Sequence, residues 1–427
     1  MAHAPAFPSS QRPPRRRAWG CVTLISALAL AAPARADDEA GAKPAWSVGG
    51  FGSVGAVHSD EPHGDFTSSL LKAHGAGYSG STRFDVDSRV GVQLDANLDK
   101  RWSAVLQVIS EQGVDGSYQP AVEWFNVKYQ ITPDLSVRLG RIALPMFLAA
   151  DYRKAAYAYT LVRPPVEVYG AIPISSSDGI DASYRWNSGD IKHVTQAFYG
   201  HNDVKIGANS RAKARGLGGI SHTVEYGALT ARASFLSTNL TVDLARPLFD
   251  AYRQFGPPGA ALADTFDVDH KRAQGLSLGA AYDPGQWFVT GEAGILNADS
   301  YLGNKSTGYV SAGYRFGNLT PYFAYAQAKS RSAMSDAGLP LAGLPPPVAA
   351  AAGYLNGQLN VLLGTVAVQN TSTVGLRWDC MRNAALKVQY DRVRPQDGMA
   401  SMLINIQPGF EKGRTINVLS AVLDFVF

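Results

Sequence analysis

The sequence predicts an all-β fold, a sixteen-stranded antiparallel transmembrane β-barrel. Three observations carry this. Apolar and polar residues alternate with a period of two in segment after segment. The connections between those segments alternate between short turns and long loops. A secretory leader precedes them, and no later stretch is long and apolar enough to be a membrane helix.

The leader comes first. Arg12, Arg15, Arg16 and Arg17 form a basic start, residues 18–32 an apolar run, and Ala34 and Ala36 a small-residue pair. That order is the pattern of a secretory signal peptide. It is expected to span residues 1–36 and to leave one domain, residues 37–427. The apolar run is shorter than the ~20 residues a spanning helix needs. Cys21 lies near the start of the run, where a lipidation cysteine would follow it. The chain of 427 residues carries 39 Lys+Arg against 35 Asp+Glu. Five of those arginines sit in the leader, so the remainder is close to neutral and its charge points to no nucleic-acid partner. Cys380 is the one cysteine after residue 36, so no internal disulfide is expected to staple an exported chain. The mean hydropathy is −0.09. A helical membrane protein would be far more apolar, but in a barrel only alternate residues meet lipid.

The clearest strand is Arg83–Leu98. Phe84, Val86, Val90, Val92, Leu94, Ala96 and Leu98 share one parity, interrupted at Ser88. Arg83, Asp85, Asp87, Arg89, Gly91, Gln93, Asp95 and Asn97 share the other. A period of two gives one apolar and one polar face. The same reading places strands near 46–58, 82–98, 102–111, 121–131, 135–141, 179–186, 191–200 and 215–224. The second half adds 228–237, 273–282, 286–296, 307–316, 320–328, 371–379, 384–392 and 415–427. Turn chemistry such as Asn187-Ser188-Gly189-Asp190 and Asp283-Pro284-Gly285 marks seven short connections. Eight long ones run near 59–81, 112–120, 142–178, 201–214, 238–272, 297–306, 329–370 and 393–414. A β-sandwich shares the alternation but has no reason to sort its loops by length. A membrane barrel has short turns at one end and long loops at the other.

Aromatic residues support the barrel. Trp46, Trp102, Tyr129, Trp186, Trp287, Phe316, Trp378 and Phe427 all fall beside the short-turn end, as an interfacial girdle would. The last strand reads LSAVLDFVF, with Leu419, Ala421, Leu423 and Phe425 expected to face lipid and Phe427 to sit at the interface. A C-terminal amphipathic strand that ends in Phe is similar to the assembly signal of Gram-negative outer-membrane proteins. That resemblance implies an assembly role for Leu423, Phe425 and Phe427. The sixteen-strand layout resembles the trimeric porin family over residues 37–427. The resemblance implies an integral outer-membrane barrel with short periplasmic turns, long extracellular loops and a homotrimer.

The third long loop, 142–178, is apolar and aromatic, with Leu144, Phe147, Leu148, Tyr157, Tyr159 and Val168. It should not dangle in water. In the resembled porins the loop after the fifth strand folds into the lumen and narrows it, and here too the loop follows the fifth predicted strand. The acidic-aromatic-glycine-glycine tip motif of the enterobacterial members is absent. The loop's charges are mixed: Asp151, Glu167 and Asp178 against Arg153, Lys154 and Arg163. Polar-parity positions of the neighbouring strands offer Arg83, Arg89, Lys128, Arg138 and Arg141. Together these are the candidate constriction residues, because charge rings in a confined lumen set ion preference through local potential. The basic wall predicts a modest preference for anions, opposed by Asp85, Asp87 and Glu167. Loop 329–370 is apolar and proline-rich. A short helix near Val348–Leu355 is expected there, as a cap on the mouth or as a contact with a partner.

No catalytic or metal site is expected. None of the eight His has metal spacing. Ser175-Ser176-Ser177-Asp178-Gly179 reads as a loop-to-strand turn, and Gly216-Leu217-Gly218-Gly219 is too short for a phosphate motif. No cofactor is implied. The function expected is passive diffusion of small hydrophilic solutes and ions through a water-filled lumen. A substrate-selective channel is the alternative within the class, and an outer-membrane barrel enzyme the alternative outside it.

Overall fold

The computed structural model describes residues 45–366, 368–396 and 402–427. The expected leader lies outside the described residues. Among the described residues, sixteen long strands and the two-residue strand Thr82–Arg83 form one antiparallel sheet. The first eight are β1 (Ala45–Ser59), β2 (Arg89–Asn97), β3 (Trp102–Glu111), β4 (Ala121–Gln130), β5 (Leu135–Ala143), β6 (Ser176–Ser188), β7 (Ile191–Lys205) and β8 (Arg211–Tyr226). The others are β9 (Leu229–Val242), β10 (Lys271–Tyr282), β11 (Trp287–Asn297), β12 (Lys305–Tyr314), β13 (Leu319–Ser330), β14 (Gln369–Met381), β15 (Ala384–Pro395) and β16 (Ile416–Val426). Each pairs with its neighbours in sequence. β1 then pairs with β16 from Phe51↔Val426 to Ser59↔Val418, which closes the ring and leaves no sheet edge.

The seven short turns all lie where the sequence puts them, and several strands run further than expected. β6–β9 gain residues at their long-loop ends, so the connection expected at 201–214 shrinks to residues 206–210. The expected strand 82–98 is interrupted. Thr82–Arg83 pairs with β1, as does β2, but Phe84–Ser88 leaves the ladder between them. Asp87 turns inward to an arginine from loop 144–175, and Val86 is buried in an apolar cluster with Val57, Phe66 and Val418. Ser88, which breaks the apolar parity, marks the detour.

The wall sorts by parity as a membrane barrel requires. Val54, Val90, Leu139, Ile180, Val310 and Val374 are exposed outward, while Ser53, Gln107, Asp181, Ser277, Thr373 and Asp391 on the opposite parity are buried inward. Trp46, Trp102, Trp186, Trp287, Phe316 and Trp378 are exposed outward beside the short turns. Leu419, Leu423 and Phe427 are exposed too, and Ser420, Val422 and Asp424 face in. The last two phenylalanines also work on the seam. Phe427 exchanges two backbone hydrogen bonds with Gly50, at 2.9 and 3.0 Å. Its ring covers Gly50 and that of Phe425 covers Gly52, so closely that a Cβ at either glycine would collide with the ring.

Outside the long-loop end, residues 243–270 and 331–366 build a helical cap. It holds α2 (Arg246–Arg253), α3 (Gly256–Phe266) and α4 (Pro346–Leu363), numbered after the single-turn α1 (Val166–Tyr169) of loop 144–175. The helix expected near Val348–Leu355 is thus an eighteen-residue helix. No helix among the described residues is long and apolar enough to cross a membrane.

Candidate functional site: the lumen and its inward loop

Residues 144–175 run from β5 into the barrel and bind the far wall. The inward parity of that wall is polar, and it supplies partners for the loop's backbone. Arg232 Nη1 of β9 donates to the Phe147 carbonyl at 2.7 Å, and Ser277 Oγ of β10 to that of Met146. Leu148 N donates to Glu292 of β11 at 2.8 Å, and the Tyr169 and Tyr309 hydroxyls donate to the same carboxylate at 2.5 and 2.9 Å. Lys387 of β15 is wholly buried under the loop. Its ammonium donates to the carbonyls of Ala156, Tyr159 and Leu161 at 2.6–2.9 Å and lies 2.8 Å from Asp424. Arg377 of β14 donates to the carbonyls of Tyr157 and Tyr159, at 2.9 and 3.0 Å.

The tightest tie is Arg163, only 4% exposed. Its guanidinium donates to Asp87 at 2.5 and 3.0 Å, to Asp391 at 3.1 Å and to Ser420 Oγ at 2.7 Å. Two carboxylates on one buried fork satisfy its charge, and charge-assisted pairs of this kind are among the stronger hydrogen bonds. Glu167, equally buried, accepts from Gln369 Nε2 at 2.6 Å and from the Thr371 hydroxyl. Arg153 stays within the loop, donating to the carbonyls of Tyr169, Ile172 and Ile174 at 2.6–3.2 Å. Asp151 lies 3.4 Å from Arg232.

The expected constriction residues therefore separate into three groups. Asp151, Arg153, Arg163 and Glu167 fasten the loop. Arg138, Lys128, Arg89 and Lys154 face the lumen or its outer entry. Arg138 binds Asp181 through Nε and Nη2 at 2.5–3.1 Å, and Arg89 and Lys154 both approach Glu111 of β3. The third group departs from expectation. Arg141 pairs across the sheet with outward Phe125 and lies two residues from outward Leu139, while Asp178 lies two residues from outward Ile180. They bind each other at 2.7 and 2.8 Å on the outer parity, at the rim. Arg83 also misses the lumen's middle, because it sits beside the Phe84–Ser88 detour and pairs with Asp85.

Sequence reading missed Arg185, Lys72, Glu111, Lys387 and Glu292. Lys387 shares its parity with Gln389 and Asp391, opposite the apolar Leu386, Val388 and Tyr390, and that alternation could have found it. Arg185 shares its parity with Asp181 on β6. Most of the loop's ties reach β9–β16; on the inner wall from β2 to β7 it meets Glu111 of β3 through Lys154 and packs against Phe198 of β7. That stretch of wall carries Gln93, Asp95, Lys128, Arg138, Asp181 and Arg185. Neither Lys128 nor Arg185 makes a side-chain hydrogen bond or ion pair among the described residues.

A closed, even-stranded barrel with an apolar exterior, an aromatic girdle and a polar lumen is an outer-membrane β-barrel. The family model for Gram-negative porins matches residues 22–401, and the chain belongs to that family. No curated protein matches it by sequence. Its fold is similar to that of the anion-selective porin from Comamonas acidovorans, at 12% identity with a TM-score of 0.53, over 90% of this chain and 100% of that one. It is also similar to the outer membrane channel DcaP of Acinetobacter baumannii, at 12% identity with a TM-score of 0.54, over 92% of this chain and 100% of that one. Salmonella typhi OmpF matches at 13% identity with a TM-score of 0.50, over 90% and 97%. The protein is an integral outer-membrane passive diffusion channel, and its family and fold are those of a non-enzymatic pore.

Proposed function

We propose that solutes cross along the β2–β7 wall, and that loop 144–175 narrows the route to small hydrophilic molecules and ions. The observation that carries this is the loop's attachment: most of its polar and charged contacts engage the opposite wall, and on this one it is held at Glu111 and Phe198 and leaves Lys128, Arg138 and Arg185 clear of it. Lys128, Arg138 and Arg185 face the route against Asp95 and Asp181. In a low-dielectric channel a surplus of one or two charges acts on every passing ion, so the route favours anions modestly. Arg138 is largely neutralised by Asp181, so the preference rests on Lys128 and Arg185 rather than on Arg89 and Arg138.

Removal of residues 1–36 on export and assembly as a homotrimer complete the reading. The leader's charge and small-residue pattern supports the first, and the family supports the second. The test is the reversal potential of single channels in a potassium chloride gradient. Wild type should show a small anion-selective potential, and Lys128→Gln with Arg185→Gln should move it toward cation preference. A wild-type channel that favours cations, or a potential the double substitution leaves in place, would refute this route.

A further inference from the structure

At the outer end of the β2–β7 wall, loop 144–175 and the first long loop enclose a solvent-open cleft of about 220 Å³. Lys72, Lys154 and Glu111 line it, and Arg89 lies close to that acid outside the lining. Lys154 contacts Glu111, Arg89 Nε lies 3.8 Å from that carboxylate, and Lys72 Nζ lies 3.9 Å from it. Three cations share this one carboxylate, Asp87 offsets part of their charge, and the lining adds Arg141 and Asp178, which pair with each other at 2.7 Å. Lys72 is the unusual member. It borders the cleft, is only 6% exposed, and its ammonium makes no hydrogen bond among the described residues. Burying an ammonium with its donors unused is costly, and an acceptor in the cleft would relieve that cost.

The rest of the lining narrows the chemistry. Leu71, Val122, Pro173 and Ile174 border the same space, so it has an apolar side beside Lys72 and Lys154. Glu123 and Asp203 lie on its border as well and disfavour a second negative charge. We infer that the cleft is a binding subsite for a small organic monocarboxylate, gripped by Lys72 and Lys154 with its apolar body against Ile174 and Val122. The subsite rests on the channel reading for its purpose, since it would load the outer end of the β2–β7 route.

Binding is read separately from conduction. Isothermal titration of the detergent-folded protein with sodium benzoate should show saturable binding, and benzamide, its neutral isostere, should bind at least about tenfold more weakly, because a charge-assisted hydrogen bond is worth about 1.5–3 kcal/mol. Lys72→Met and Lys154→Met should each weaken benzoate about tenfold or more by the same arithmetic. Lys72→Arg, which keeps the charge, should restore most of the affinity. Retention of the heat-resistant folded form checks that each variant is intact. Equal binding of benzoate and benzamide, or benzoate affinity indifferent to both methionine substitutions, would overturn the subsite. Benzoate binding by a protein that forms no conducting channel would instead break the channel reading.

Discussion

Loop 144–175 and the helical cap both leave the long-loop end of the barrel, yet one turns in and the other out. The inward loop contributes an apolar cluster of its own, with Leu144, Met146, Phe147, Val168 and Tyr169 against Phe198, Leu217 and Leu236. Its reach across the lumen, however, is secured by ions and carbonyls: Arg163 to Asp87 and Asp391, Lys387 to three carbonyls, Glu167 to Gln369. The cap is the reverse. Phe249, Tyr252, Ala263, Leu339, Ala352, Leu359 and Leu363 form one buried cluster, and residues 338–368 carry no charge at all. Its ion pairs gather around Arg253, with Asp250 and Asp267, and Asn356 bridges the Tyr252 hydroxyl and the backbone of Leu339. A barrel's inner wall is polar by parity, so a segment that docks there must satisfy polar groups. A segment that folds beyond the rim has no wall and must build its own core.

Breaking the inward loop's strongest tie should have the largest effect. Arg163→Met removes the cation that Asp87 and Asp391 hydrogen-bond, and removing one partner of a buried pair costs about 3–5 kcal/mol. The folded form should be lost at lower temperature, and the surviving channels should carry larger, noisier currents. Adding Asp87→Asn and Asp391→Asn should recover much of the stability, because the penalty lies in the carboxylates left without that cation.

The cap should respond to cavity formation and leave the pore alone. Leu359→Ala should cost about 2–5 kcal/mol of local stability. Amide hydrogen exchange should accelerate in 243–270 and 331–366, while single-channel conductance holds. A conductance change as large as that of Arg163→Met would erase the distinction between the two regions.

The seam should behave as a packing site. Gly52→Val places a branched side chain where the Phe425 ring lies, and overpacking costs typically about 1–3 kcal/mol. The heat-resistant band in detergent gels should weaken, and pairing the substitution with Phe425→Ala should restore part of it. No change with Gly52→Val would deny the ring its role in closure.

The smallest expected effect is on pH. Burial pushes the Lys72 ammonium down to about 8, helped by Arg89 and Lys154 and opposed by Glu111 and Asp87. Above that pH Lys72 loses its charge, so benzoate affinity should fall between pH 7 and pH 9. A Lys72→Arg variant should hold its affinity across that range, because arginine stays protonated.

The strand count, the seven turns and the outward girdle were legible because lipid and lumen impose a period of two on every strand. The inward loop was legible as apolar chain that water would not hold. Which of its charges face the route was not. Arg163 and Glu167 look like pore charges in sequence, but partners more than 70 residues away, Asp87, Asp391, Gln369 and Thr371, bury them. Arg141 and Asp178 fell to parity, since Arg141 sits opposite Phe125 in a register that a single strand does not reveal. The two cap helices at 246–266 were missed because their packing surface belongs to each other and to α4.

In the proposed pore, loop 144–175 narrows the β2–β7 route. Replacing residues 146–172 with a short Gly-Ser link and measuring single-channel conductance with polyethylene glycols of graded size tests it directly. The loop-excised channel should conduct more, and polymers excluded from wild type should enter it. Unchanged conductance with an unchanged size limit, in channels that remain folded, would show that the narrowest point lies elsewhere.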